Sequence, residues 1–147
     1  MKTVHKTVLL THSANDMFDL VTDVTRYPQF LPWCAHASVL AQSATSMTAK
    51  LDMGLSGFKH GFTTQNTHIP GRQVSIELVD GPFSKLEGCW QFIPVGSSGQ
   101  DACKVDFKLH YAFGSNTLAA LLGPVFDKIA GSLVDAFVKR ADEVYGA

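Results

Sequence analysis

With 147 residues, 46% of them hydrophobic and 17% charged, the chain is long enough for one core-forming domain and too apolar for disorder. Its 12 basic and 13 acidic residues leave a formal charge of −1, which gives no whole-molecule attraction to phosphate and no support for DNA binding; a local basic patch is still compatible with that total. Cys34, Cys89 and Cys103 are odd in number and lack C-x-x-C spacing, the pattern of reduced thiols rather than of a disulfide frame.

Val8-Leu9-Leu10 is too short for a signal sequence, and no apolar run is read as approaching the roughly 20 residues of a membrane span. A cytoplasmic protein without a transmembrane segment is therefore expected. Residues 3–11, rich in β-branched side chains, read as a first strand. Ser13 then caps a helix, with Asp16 at the third position and Met17, Phe18, Leu20, Val21 and Val24 on one face. That helix should stop before Pro28. Two prolines and three aromatics in residues 26–34 (RYPQFLPWC) make a compact apolar turn, with one short helical turn around Tyr27–Phe30.

From there to residue 113 the period is two. Met47/Ala49/Leu51/Met53, Phe58/His60/Phe62/Thr64, Val74/Ile76/Leu78, Leu86/Trp90/Phe92 and Cys103/Val105/Phe107/Leu109/Tyr111 each alternate with polar neighbours. Turn signals at Gly54/Gly57, Pro70-Gly71, Asp80-Gly81-Pro82 and Gly96–Gly99 separate the runs. With no helical pattern between them, the strands are joined by hairpins into an antiparallel sheet.

From about Asn116 the period becomes 3.6. Leu118, Leu121, Leu122, Val125, Phe126, Ile129, Leu133, Phe137, Ala141 and Val144 form a stripe, with a break or kink expected at Gly123-Pro124. Thirty helical residues span about 45 Å, as long as a domain of this size, so the helix must lie across the whole sheet. Such a crossing leaves space. Small inward positions (Ala49, Gly88, Cys103) and the adaptable Met17, Met47 and Met53 favour a cavity, although such stripes more often pack a solid core and periodicity alone favours that reading.

Three segments carry a resemblance. Asp23–Cys34 (DVTRYPQFLPWC), Asp80–Phe92 (DGPFSKLEGCWQF) and Val134–Tyr145 (VDAFVKRADEVY) resemble, in order along nearly the whole chain, the signatures of a START-like family. That family contains mitochondrial coenzyme-Q-binding proteins and bacterial ribosome association toxins of the RatA type, within the polyketide cyclase/dehydrase superfamily. The resemblance implies an α+β, helix-grip (START/Bet v 1-like) domain over residues 1–147. Its parts would be a curved seven-stranded antiparallel sheet, two short helices after strand 1 and a gripped C-terminal helix. It implies a hydrophobic tunnel for ubiquinone or another isoprenoid lipid, delivered for respiration with no required cofactor and with room for contact at a membrane surface. It equally implies a toxin–antitoxin factor binding the large ribosomal subunit, and more distantly a cyclase.

The candidate ligand-binding residues are Tyr27, Phe30 and Trp33 from the proline-rich turn, Leu51, Phe62 and Leu78 from the central strands, and Phe83 from the Gly81-Pro82 turn. Trp90, Phe92, Phe107, Leu109 and Tyr111 follow from the last strands, and Phe126, Ile129 and Phe137 from the helix. The Tyr111 hydroxyl and Trp90 N–H would serve as polar handles in an apolar pocket. The proline-rich turn could instead plug the core, and the Gly81-Pro82-Phe83 turn could serve backbone geometry alone. The six histidines are scattered without metal-ligand spacing, and no nucleophile–base or phosphate-loop motif occurs, so neither a metal nor a catalytic residue is assigned. Should Lys104 and Lys108 join cations on neighbouring strands, an RNA contact becomes credible.

Overall fold

The computed structural model describes residues 1–55, 58–96 and 102–146; the expected turns at Gly57 and Ser97–Gly99, and the side chains of Phe58 and Lys59, lie outside the described residues. In chain order the elements are β1 (Lys2–Leu10), α1 (Ala14–Thr22), a 3₁₀ segment (Val24–Gln29), β2 (Cys34–Gln42), β3 (Ser46–Leu55), β4 (Phe58–Ile69), β5 (Gln73–Asp80), β6 (Phe83–Val95), β7 (Ala102–Phe113) and α2 (Asn116–Tyr145). The strands form one antiparallel sheet ordered β1-β7-β6-β5-β4-β3-β2. β2 to β7 are a meander, and β1 closes the order by pairing with β7. This is the α+β helix-grip arrangement expected from the sequence.

Ser13 caps α1, its Oγ accepting from Asp16 N at 3.0 Å. The helix buries Ala14, Met17, Leu20 and Val21. It stops at Thr22, earlier than Pro28 demanded, and the Thr22 hydroxyl turns back to bond Phe18 O at 2.9 Å. The chain then tightens into the 3₁₀ segment, which holds Pro28 within it. β2 is not separable in the sequence. Register shifts between Cys34 and His36 and between Val39 and Ala41 break its alternation.

α2 runs unbroken from Asn116 to Tyr145, contrary to the interruption expected at Gly123-Pro124. Pro124 is exposed, and so is Ala120, whose carbonyl loses the N–H it would have accepted and can bond water instead. Leu122, Phe126, Ile129, Val134, Phe137 and Ala141 form the buried stripe, whereas Leu121 and Val144 are 52% and 50% exposed and fall off it. The helix also corrects the reading that no segment approaches a membrane span. An 18-residue window of α2 has mean hydropathy 1.4, long and apolar enough by composition to cross a bilayer. Its leucines, valines and Ile129 carry that value. In the fold, the stripe of α2 is spent on the sheet.

Acidic residues about two turns apart clamp α2 along the β1 edge. Asp127 pairs with Lys2, Asp135 Oδ1 with Lys6 Nζ at 2.7 Å, and Asp142 Oδ1 with His12 Nε2 at 2.7 Å. Most of these partners are exposed, so each pair is worth at most about 1 kcal/mol. Burial of side chains such as Phe92, Phe107 and Phe137, at about 1.5–3 kcal/mol each, contributes far more.

The outer sheet face does not gather the cations imagined there. Lys108 lies between His5 and Cys89, and Lys104 between Leu9 and Ile93. Asp106 sits between the two lysines on β7 and holds His5 Nε2 at 2.7 Å. The row is mixed in sign and partly apolar.

Candidate functional site

The alternation of β3 to β7 sends one set of side chains toward α2. α2 packs most closely on β7 and β1 at one side of the sheet. Over the other strands, helix and sheet leave a cavity of about 90 Å³, or about 710 Å³ when the space out through its mouth is counted. Its floor is Ala49 and Leu51 of β3, Phe62, Thr64 and Asn66 of β4, Ile76 of β5, Leu86 and Trp90 of β6, and Phe107 and Leu109 of β7. Phe126, Ile129, Ala130, Leu133 and Phe137 of α2 form the roof, and Val24, Tyr27 and Trp33 close the end below α1.

The aromatic walls are held by contact with one another. The Trp90 ring lies 4.4 Å from Phe107 and 5.2 Å edge-on from Phe137. Phe137 also takes the edge of Tyr27 at 5.3 Å. Gly88 stands inward on β6, where a Cβ would press Leu109 Cδ1 at 3.2 Å; its bare backbone makes room for Leu109 and Ile76. Gly81 is required for a different reason. Its φ is +155°, and a side chain there would strike Phe62 Cβ at 2.7 Å, so the Asp80–Pro82 turn seats directly on a cavity residue.

Of the candidate residues, Tyr27, Trp33, Leu51, Phe62, Trp90, Phe107, Leu109, Phe126, Ile129 and Phe137 come together around this space. Five do not reach it. Phe30 meets Phe137 edge to face at 5.2 Å, and the Arg140 guanidinium lies over its ring. Leu78 is half-buried beside the Gly81 turn. Phe83 packs against Phe113 and Phe126 at 5.1 and 4.9 Å, sealing the far end. Phe92 lies past Trp90 under Phe18 of α1. Tyr111 touches Phe126 at 4.8 Å, and its hydroxyl donates to Asp127 Oδ1 at 2.6 Å, so it is no free polar handle. Met17, Met47 and Met53 are buried in the core and do not line the cavity.

The sequence reading missed Val24, Ile76, Leu86, Ala130 and Leu133 as lining, although all but Ala130 lay on a stripe it had drawn. More telling is the polar pair on β4. Thr64 and Asn66 are 5% and 7% exposed, and the Thr64 hydroxyl donates to Asn66 Oδ1 at 2.9 Å. The signal was available: Phe62, Thr64, Asn66 and His68 share one parity on one strand.

Among the described residues the only acid–base side chain in the lining is Tyr27. Burial, then the neighbouring Cys34 and Asp23, push its phenol above the ordinary range, and its hydroxyl is spent on Val21 O. Cys34, behind Trp33, is pushed up to about 11, chiefly by burial. Among the described residues no three His, Cys, Asp or Glu side chains gather as a metal site would require.

A curved antiparallel sheet gripping one long helix over an apolar cavity defines a START-like domain. Residues 10–138 match the family described as polyketide cyclase / dehydrase and lipid transport, and the chain belongs to that family. It is 42% identical over 146 residues, 99% of each chain, to the ribosome association toxin RatA of Vibrio cholerae. It is 33% identical over 139 residues to the mitochondrial coenzyme Q-binding protein COQ10 homolog B of Xenopus laevis, covering 94% of this chain and 57% of that one. Among solved structures, a START superfamily protein from Mycobacterium smegmatis superposes with TM-score 0.78 at 22% identity, covering 97% of this chain and 98% of that one. The Zhui aromatase/cyclase of Streptomyces sp. R1128 superposes with TM-score 0.80 at 13% identity, covering 96% and 93%. At these identities the two structures speak for the fold alone.

Proposed function

We propose that this protein binds a hydrophobic, ring-bearing small molecule between helix and sheet, a polyprenyl quinone such as ubiquinone being the leading candidate, and carries it without chemically altering it. The observation that carries this reading is the cavity itself, walled by Trp90, Phe107, Phe126 and Phe137. Its polar groups are Thr64, Asn66, the indole N–H of Trp33 and Trp90, and a tyrosine already bonded to backbone. General acid–base catalysis needs a positioned group that can exchange a proton near the working pH, and nothing in this lining supplies one. The coenzyme Q-binding relative supports the quinone. Size constrains the pose. Drug-sized ligands occupy roughly 300–1,000 Å³, whereas about 150 Å³ admits a benzene ring. At about 90 Å³ the resting cavity is smaller than one that admits benzene, so a ring seats only as the walls give, with the remaining chain leaving through the mouth.

Native mass spectrometry of the purified protein, with organic extraction of what co-purifies, tests this. A stoichiometric quinone or isoprenoid lipid is expected. A protein that emerges empty, and whose Trp33 and Trp90 fluorescence ignores added short-chain ubiquinone, overturns it.

A second reading has its own support: the 42% identity to RatA extends over 99% of both chains. On that reading the protein is cytoplasmic and binds the large ribosomal subunit. The mixed-sign Lys104–Asp106–Lys108 row makes few phosphate contacts, so the salt dependence of binding would be shallow. Co-sedimentation with large subunits at low salt is the expected result, and its absence there refutes this reading.

A further inference from the structure

The β4 polar pair is placed where it costs most unless a ligand uses it. Asn66 stands between Met47 of β3 and Ile76 of β5, and Thr64 between Ala49 and Leu78. Ala49 and Ile76 belong to the apolar lining, so the carboxamide is set among hydrocarbon. Its oxygen accepts from Thr64, and its nitrogen finds no acceptor among the described residues. That nitrogen is not sealed into the protein, for His68 Nε2 alone is both buried and unpartnered among the described residues. The space that Asn66 adjoins is the cavity. A buried amide N–H without a partner is costly, and a cavity of apolar walls gives water few polar neighbours to settle on.

The geometry points to Asn66 as the specificity-determining residue of the cavity, its Nδ2 donating to a carbonyl oxygen on an apolar ring while Thr64 fixes the orientation of the amide. This rests on the cavity reading above and sharpens it. The Asn66 amide nitrogen offers the pair's unspent N–H donors, so it rewards a ketone or quinone oxygen and offers nothing to a hydrocarbon of the same shape. Discrimination arises because a site built to hydrogen-bond one group leaves that bond unmade with the analogue that lacks it.

Acetophenone and α-methylstyrene test this as a pair, since they differ by a carbonyl oxygen against a methylene on the same skeleton. Binding is followed by Trp fluorescence and by ¹⁵N spectra of the Asn66 side-chain amide. The wild type should bind acetophenone more tightly, with a displaced Asn66 NH₂ signal. Asn66→Leu should weaken acetophenone about fivefold, the worth of one neutral hydrogen bond, and leave α-methylstyrene unchanged or tighter. Equal binding of both probes by the wild type, with an unmoved Asn66 amide, overturns the inference and leaves the cavity reading standing. Failure of the folded wild type to bind either probe overturns both. The wild-type spectra decide the question even if the leucine variant does not fold.

Discussion

Filling the cavity from the helix side should stabilise the protein and silence its binding at once. Ala130 is 2% exposed and lies in the α2 wall. Leucine there adds three carbons to a void of about 90 Å³, which at about 24 cal/mol per Å³ filled is worth about 2 kcal/mol. Counting three buried methylenes at about 0.8 kcal/mol each gives the same answer. Overpacking strain of about 1 kcal/mol leaves a net gain near 1 kcal/mol, or about 3 °C in Tm for a chain of this length. The added carbons occupy the space a ring would take, so affinity for short-chain ubiquinone should fall at least tenfold, about 1.4 kcal/mol. Thermal unfolding by circular dichroism gives the first number and Trp fluorescence titration the second. A leucine variant that is more stable yet binds with unchanged Kd would show that the ligand sits elsewhere.

Tyr111→Phe removes the hydroxyl that bonds Asp127 at 2.6 Å. Urea unfolding should show a loss of about 1–2 kcal/mol, toward the low end because Asp127 is partly exposed and water can replace the bond. The Asp127 carboxyl is held below the usual carboxylate range by Lys2 first and Tyr111 second, so in the variant its titration, followed by NMR, should move upward. His68 has a buried, unpartnered Nε2 beside the edge of Phe18, and burial lowers its pKa. The unfolded state then binds the proton more readily, so stability falls as pH drops through the ordinary histidine range near 6.5. His68→Leu should flatten the pH 7 to 5 limb of denaturation curves and raise stability at pH 7; an unchanged slope would count against the assignment. Thiol labelling at pH 8 should modify half-buried Cys89 first. Cys34 and Cys103, pushed up to about 11 by burial, should react only on unfolding.

β7 shows what a strand reveals in advance. Cys103, Val105, Phe107, Leu109 and Tyr111 alternate without a fault, and all five are buried. β2 shows the opposite, because two register shifts remove the period that would have announced it. Parity settles which face a side chain takes but not how far along the sheet the space extends. Phe92 and Phe107 share the inner face, yet only Phe107 lines the cavity, since α1 lies over the Phe92 end. The same limit explains Tyr111, inward as expected but facing Asp127 rather than empty space. Thr64 and Asn66 were hidden by residue type. Their parity matches Phe62, and a reading that seeks hydrophobic side chains on an inner face passes over the polar ones set there.

The clamp on α2 has a consequence for how a ligand larger than the resting cavity enters. Asp127, Asp135 and Asp142 tie the helix to β1 and to His12, all on one side of the sheet, and the Tyr111 bond to Asp127 reinforces the same side. Toward β3 to β5 the lining beneath the helix is apolar apart from Thr64 and Asn66, and the polar tie of α2 beyond it is the exposed bond from Arg140 Nη2 to Gln29 Oε1 at 2.9 Å. Leu51, Ile76 and Leu133 there, like Tyr27 at the closed end, are half-buried members of the lining, the mark of a wall that meets solvent. Ion pairs and hydrogen bonds resist displacement over a few tenths of an ångström, whereas apolar side chains change rotamer without leaving a polar group unmade. Opening therefore favours a lift of α2 away from β3 to β5 about its β1 edge, and the prenyl chain of a seated quinone would leave between Leu133 and Leu51. Asn66 lies on the floor of that side, on β4 between β3 and β5. A ring entering there meets the amide at the inner end of its path, while the trailing prenyl chain stays at the mouth.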